Sequence, residues 1–193
     1  MNIAIIDYNA GNVQSVYYAL KRLGIEAKIT ADHQEIREAD KVIFPGVGEA
    51  TSTMKHLKES GLDILIPKLK QPVLGICLGM QLLCSYSEEG NTGCLGIFPN
   101  KVKLFKGKDK VPHVGWNSIS NLKGSLFKDI ADNAYVYFVH SFYVETLTDT
   151  IATCDYMGNF SAAIQKDNFY ALQFHPEKSG ETGQNILKNF IEL

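Results

Sequence analysis

Pro72-Val73-Leu74-Gly75-Ile76-Cys77-Leu78-Gly79-Met80-Gln81 is the stretch around which the rest of this chain is organised. Val73–Ile76 is a short apolar run that reads as a buried strand. It stops at a cysteine with Gly75 and Gly79 two positions to either side, and an apolar helical segment (Met80, Leu82, Leu83) follows. This is the G-x-nucleophile-x-G turn written with cysteine. The turn is sharp enough that strand and helix crowd each other, which calls for small residues at both flanks. Cys77 would sit above the sheet at the start of the helix, where the dipole and unpaired backbone N–H groups favour a thiolate. The pentapeptide alone fits a packing cysteine between two turn glycines equally well, so other segments must decide.

Bulk properties narrow the field. A chain of 193 residues with 45% hydrophobic and 21% charged residues predicts one globular domain, 1–193, with a substantial core of its own. A net charge of −2 gives no basic footprint, which argues against nucleic acid or an anionic membrane as partner. The start of the chain, Met1–Gly11, has no basic region and Asp7 interrupts its apolar run, so it reads as a strand and not a signal peptide. No apolar stretch approaches the length of a membrane span. The four cysteines (Cys77, Cys84, Cys94, Cys154) form no C-x-x-C pair, which predicts a reducing, cytoplasmic setting. The five histidines (His33, His56, His113, His140, His175) lack zinc-site spacing, and no metal or cofactor is expected.

The first half alternates strand and helix. Strands are predicted at Asn2–Ile6, Ile25–Ile29, Lys41–Phe44 and Val73–Ile76. Helices are predicted at Val13–Leu23, ending at Gly24, and over Glu49–Lys58 and Ile64–Leu69. Such alternation predicts a mostly parallel sheet with helices on both faces and a site beyond the carboxyl ends of the strands. Three turns qualify: Asp7–Asn12, Pro45–Gly48 and Cys77–Gly79. The second half reads as short strands at Leu95–Phe98, Val102–Phe105, Asn117–Ser120, Tyr135–Phe138, Ile151–Tyr156, Ser161–Gln165 and Tyr170–Gln173, much of it antiparallel, forming a second small sheet. A last helix covers Glu181–Ile191.

Three segments could meet Cys77. In Phe174-His175-Pro176-Glu177 the histidine and glutamate stand two residues apart, so extended backbone sends both side chains the same way. A thiolate nucleophile needs an imidazole to shuttle protons, and the imidazole needs a carboxylate to fix its tautomer. Pro45-Gly46-Val47-Gly48 follows a strand, and its glycines let backbone N–H groups turn toward a neighbour. One of them, with the N–H of Leu78, could form an oxyanion hole. Tyr137–Tyr143 carries His140 and Ser141 at a strand end, where they line a polar pocket or, for His140, fill the core. Pro112-His113-Val114-Gly115-Trp116-Asn117 reads as a loop with an aromatic anchor, serving core packing or a partner contact.

Taken together, Gly75–Gln81 with Phe174–Glu177 resembles the class I, or triad, glutamine amidotransferases, and Pro45–Gly48 resembles their oxyanion loop. More narrowly, Asp7–Asn12, Pro112–Asn117, Phe138–Ser141 and Lys178–Gly180 look like the glutaminase subunits of imidazole glycerol phosphate synthase. The resemblance implies the flavodoxin-like class I amidotransferase fold, a mostly parallel sheet plus a smaller antiparallel one. It implies Cys77 as nucleophile, His175 as general base and acid, and Glu177 as its orienting carboxylate. It assigns the oxyanion hole to Gly46, Val47, Gly48 and Leu78, and substrate contacts to Gln81, His140 and Ser141. Glutamine would be the substrate and a (β/α)8 synthase subunit the partner that receives ammonia. That partner would make imidazole glycerol phosphate and aminoimidazole carboxamide ribotide for histidine biosynthesis. The segment Cys84–Gly90 carries no assignable contact. Two alternatives remain at this point: a paralogous glutaminase subunit for another ammonia-using synthase, and a stand-alone γ-glutamyl cysteine hydrolase of the same fold.

Overall fold

The computed structural model describes residues 1–8 and 12–193. In chain order the elements are β1 (Ile3–Ile6), α1 (Val13–Arg22), β2 (Ala27–Thr30), α2 (His33–Glu38), β3 (Lys41–Gly46), α3 (Ala50–Glu59), α4 (Leu62–Leu65), β4 (Val73–Cys77), α5 (Leu78–Leu83), β5 (Tyr86–Ser87), β6 (Thr92–Gly93) and β7 (Lys101–Leu104). They continue with β8 (His113–Ser118), β9 (Tyr135–His140), β10 (Phe142–Val144), β11 (Thr150–Asp155), β12 (Asn159–Lys166), β13 (Phe169–Leu172) and α6 (Gly180–Glu192).

A seven-stranded sheet runs in the order β11-β12-β13-β4-β3-β1-β2. The five strands from β13 to β2 are parallel, whereas β11 and β12 join antiparallel through β13. The central strands β1, β3, β4 and β13 are buried at every residue, as expected where both faces of a parallel sheet are covered. Alternate side chains feed two separate cores. Ile3 and Ile5 point to the side packed by α1 and α6, with Leu20, Ile43, Leu74, Leu187 and Phe190. Ala4 and Ile6 point to the side packed by α2 to α5, with Ile36, Phe44, Met54, Leu57 and Leu83. This period of two lets one sheet hold two layers of helices.

Several sequence expectations are corrected. The antiparallel strands β11 and β12 extend the main sheet instead of forming a separate one. The remaining short strands make a four-stranded sheet, β10-β7-β5-β6, and a hairpin, β8-β9. Leu95–Phe98 is not a strand. The backbone N–H groups of Leu95, Gly96, Ile97 and Phe98 turn back onto the carbonyls of Leu82, Cys84 and Leu83 and so satisfy the open end of α5. The segment Pro112–Asn117 is not a loop. It forms most of β8, with His113 opposite His140 and Trp116 opposite Tyr137. The helix α2 went unpredicted although Asp32 and Glu35 carry its signal; the Asp32 carboxylate accepts from the N–H groups of Gln34 and Glu35. The turn expected at Tyr8–Asn12 falls in part on residues 9–11, outside the described residues.

The elbow between β4 and α5 is set by close backbone packing. A Cβ on Gly79 would lie 2.0 Å from the Phe44 carbonyl oxygen. One on Gly46 would lie 2.6 Å from the Gly79 nitrogen, and one on Gly75 2.7 Å from Leu83 Cδ1. Cys77, wedged between, adopts φ 54° and ψ −110°, a region rarely occupied by residues with a side chain. We expect Gly79→Ala to lose more than about 3 kcal/mol of stability, because the clash is with backbone that cannot yield. Gly93→Ala, where a Cβ meets nothing within 4 Å, should change stability by less than about 1 kcal/mol. Urea unfolding midpoints of the two variants check the contrast.

Candidate functional site

The carboxyl ends of β3, β4 and β13 lie side by side. Gly46 pairs with Cys77, and Leu172 with Ile76. Three chain segments distant in sequence therefore converge above the sheet, at the place predicted for a parallel arrangement. A cavity of about 320 Å³ opens there, lined by Val47, Gly48, Cys77, Leu78, Gln81, Glu89, Pro112, Val139, His140, Ser141, Phe142 and His175.

Cys77 Sγ is nearly buried and has two long polar contacts. It approaches the Val139 carbonyl at 3.9 Å and receives the Gln173 side-chain amide at 3.8 Å. His175 leaves β13 through Gln173 and Phe174, and its backbone is tied down on both sides. Its N–H donates to the Tyr137 carbonyl at 2.9 Å, and its carbonyl accepts from Ser179 Oγ at 2.7 Å. Ser179 Oγ in turn accepts from the Tyr137 N–H, so one serine locks the histidine turn to β9.

His175 Nδ1 meets Glu177 Oε1 at 2.7 Å, and both side chains are sealed from solvent. The same Oε1 accepts from Asn12 Nδ2 at 2.6 Å. Among the described residues Glu177 Oε2 and His175 Nε2 have no hydrogen-bond partner. Nε2 is thus the end of the imidazole not taken up by Glu177, and the Cys77 sulfur acts on the ring. Burial alone would lower the His175 pKa. The Cys77 sulfur and the Glu177 carboxylate outweigh that and push it up to about 10. The imidazole is thus held protonated between the Cys77 sulfur and the Glu177 carboxyl group.

The oxyanion candidates separate by position. Val47, Gly48 and Leu78 line the cavity. Gly46 lies beneath it, pressed against Gly79 and Leu78. The Tyr8 hydroxyl donates to the Pro45 carbonyl at 2.5 Å and pins the start of this loop. Burial, and after it the Cys77 sulfur, raises the Tyr8 phenol above its ordinary pKa and keeps it a donor.

The opposite wall is built on one carbonyl. Phe142 O accepts from Gln81 Nε2 at 3.0 Å and from His140 Nδ1 at 2.7 Å. A carbonyl can only accept, so His140 carries its proton on Nδ1. His140 Nε2 must then accept from His113 Nδ1, 3.0 Å away. Both ring nitrogens of His140 are committed within the protein, and the imidazole faces the cavity with its ring. Ser141 lines the same wall. Glu89 also lines the cavity, and its Oε2 accepts from the Ala50 N–H at 2.8 Å, which holds the carboxylate at the start of α3. Burial raises its pKa above the ordinary value, partly opposed by that bond. Motif spacing does not reveal that Asn12, Glu89, Gln173 and Ser179 contact or line this site. Asn12 and Ser179 stood inside quoted motifs, whereas Glu89 carried no signal that spacing could supply. Among the described residues no group of three or more His, Cys, Asp or Glu is arranged to hold a metal.

Burial lowers the pKa of His113 to about 4 and of His140 to about 3. Unfolded, each would titrate near 6.5, so the unfolded chain binds more protons below that pH and stability falls as acid is added. His175 acts in the opposite direction: its contribution is complete below about 6.5 and is lost as pH rises through about 10. The stability curve should therefore peak between these limits. His113→Phe should make the acid limb shallower by about 2 kcal/mol between pH 7 and 4.5, measured by urea unfolding at each pH.

A family model described as glutamine amidotransferase class-I matches residues 4–193. A Bacteroides fragilis (strain YCH46) chain named imidazole glycerol phosphate synthase subunit HisH is 63% identical over 196 residues, covering 100% of both chains. A chain of the same name from Vibrio parahaemolyticus is 45% identical over 199 residues, covering 99% of this chain and 98% of its own. Among solved structures, one described as a glutamine amidotransferase has a TM-score of 0.77 at 20% identity, covering 98% of this chain and 97% of its own. Another, a glutamine amidotransferase from Thermotoga maritima, has a TM-score of 0.65 at 18% identity, covering 100% of this chain and 81% of its own. At those identities the two structures speak to the fold.

Proposed function

The chain belongs to the class-I glutamine amidotransferases, and we propose that it is the glutaminase subunit of an imidazole glycerol phosphate synthase, serving histidine biosynthesis. The observation that carries this reading is the meeting of Cys77, on its strained turn, with the buried His175–Glu177 pair at one cavity. The full-length likeness to chains of that name supports the choice of subunit.

The chemistry follows from the geometry. Glutamine enters with its side-chain amide at Cys77. The thiolate adds to the amide carbon, and the oxygen becomes an anion facing the N–H groups of Leu78 and of the Val47–Gly48 loop. Gly46 gives that loop its close seat against the elbow. Protonated His175 gives its Nε2 proton to the departing nitrogen, releasing ammonia and leaving a γ-glutamyl thioester. The neutral imidazole then takes a proton from water as water attacks the thioester, and glutamate leaves. Glu177, held by Asn12, keeps Nδ1 protonated throughout.

Gln81 spends both amide hydrogens inside the protein, so its Oε1 is the atom left for substrate. Ser141 and the His140 ring complete that wall. The Glu89 carboxylate complements the α-ammonium group of glutamine. Ammonia in neutral water is mostly ammonium, which is not nucleophilic, so the product passes to a docked (β/α)8 synthase subunit. The whole chain, 1–193, works as this one domain in the cytoplasm; among the described residues no helix is long and apolar enough to cross a membrane.

The decisive experiment measures glutamine hydrolysis with and without the synthase partner and its nucleotide ligand. Stimulation on addition is expected, and Cys77→Ala should abolish glutamine-dependent synthesis while added ammonia still supports it. Full activity without the partner would favour a self-sufficient hydrolase, and glutamine hydrolysis surviving Cys77→Ala would end the proposal. Separately, Glu89→Gln should raise KM for glutamine by about ten- to a hundredfold with a smaller change in kcat, as expected when a charge-assisted contact to bound substrate is removed. Steady-state kinetics of the complex check this.

A further inference from the structure

We propose that Gln173 is a further catalytic residue, whose side-chain amide holds the Cys77 sulfur. The inference rests on Cys77 being the nucleophile. It comes from following the polarity of one buried chain of amides. The chain starts at Phe142 O, which can only accept, so the group Gln81 presents there is its Nε2. The second hydrogen of that nitrogen points to Gln173 at 3.1 Å, so Gln173 must present its Oε1. With Oε1 turned to Gln81, the Gln173 NH₂ is left facing Cys77 Sγ, 3.8 Å away. A single obligate acceptor in β10 thus dictates that the sulfur faces an N–H donor and not a carbonyl.

Gln173 has no solvent exposure. An amide in that position is unfavourable unless its polar atoms are paired, and among the described residues Gln81 and Cys77 are its partners. It sits directly before Phe174 and His175, at the exit of β13, while its own backbone N–H is fixed to the Ala162 carbonyl at 2.8 Å. The strand that delivers the imidazole to one side of the sulfur therefore delivers an amide donor to another. A developing or resting negative charge on Sγ is met by an oriented N–H dipole in a site with little water. Among the titratable groups, His175, Tyr8 and, through His175, Glu177 act on the same sulfur. The amide of Gln173 does not titrate, so its contribution does not depend on a proton.

The bland alternative is that Gln173 only accepts from Gln81 and fills space. Gln173→Glu separates the two, because it keeps the volume and the acceptor for Gln81 and removes the N–H toward sulfur. Gln173→Leu removes both. In the full chain with its synthase partner, both variants should lower kcat for glutamine hydrolysis by at least about tenfold. Ammonia-dependent synthesis should stay unchanged, and alkylation of Cys77 by iodoacetamide, followed on its peptide by mass spectrometry, should change rate by a comparable factor. Gln173→Glu with native kcat within about twofold would overturn the inference while leaving Cys77 as nucleophile. A native complex with no glutamine hydrolysis would instead remove the functional reading, and this role with it. If the buried carboxyl prevents folding, the native protein decides by NMR. The Gln173 side-chain amide proton should shift between native and Cys77→Ala, and an unmoved resonance would refute the contact.

Discussion

The constraint on which the site depends is the approach of the α5 backbone to the end of β3, where the Phe44 carbonyl leaves no room for a Cβ on Gly79. Everything at the site inherits its position from that contact. Because α5 starts so near the sheet, the chain must reverse within one residue, and Cys77 takes the positive φ that makes this possible. Such a conformation costs on the order of 1–3 kcal/mol and persists only where the surroundings over-determine it. Two well-packed faces of the sheet do so, with Ile76 and Cys77 on one side and Leu78 and Met80 on the other. The strain holds the sulfur at the mouth of a cavity and keeps it from settling into the core like Cys84.

A second layer of control is the buried polar network, and its components are ordered by which atoms have no choice. Phe142 O and Tyr137 O can only accept, and from them the tautomer of His140, the amide of Gln81 and the backbone of His175 are determined in turn. His113 stacks on Tyr156 with ring centroids 4.0 Å apart and closes the far end of the imidazole pair. Low local dielectric makes each unmade bond expensive, so a network of this kind tends to be either fully satisfied or destabilising. Two of the atoms left without a partner among the described residues, His175 Nε2 and Glu177 Oε2, lie at the histidine–glutamate pair itself. That is where an enzyme site tolerates an unmet bond that substrate or solvent can complete.

Much of this was legible in the sequence. The parallel half of the fold was readable because strands buried on both faces appear as continuous apolar runs, and because glycines mark the elbow and the loop after β3. Cys77, His175 and Glu177 were readable because their chemistry imposes short spacings. Other features were hidden for identifiable reasons. Leu95–Phe98 has strand-like composition, yet its hydrogen bonds serve the open end of α5. In β8, Gly115 interrupts the alternation that would have announced a strand. Glu89 and Asn12 reach the site from segments remote in sequence from the partners they meet, so no local spacing encodes them. Gln173 stood two residues before the recognised histidine, but only the direction of neighbouring amides shows what its side chain does.

The charge balance of the site ties these levels together. His175 is almost fully buried, which by itself disfavours the cation, yet its proton is held because the Cys77 sulfur and the Glu177 carboxyl group stand beside the ring. Without water, the His175 cation depends on Glu177 staying in contact with Nδ1. Asn12 on the carboxylate and Ser179 on the histidine backbone therefore do more than pack. They remove the freedom by which the pair could separate. The same sealing explains why His113 and His140, a short distance away and without a carboxylate, are driven neutral. Similar burial leaves a protonated ring beside the sulfur and two neutral rings behind the cavity wall, and the deciding difference is the presence of a carboxyl group within hydrogen-bond reach.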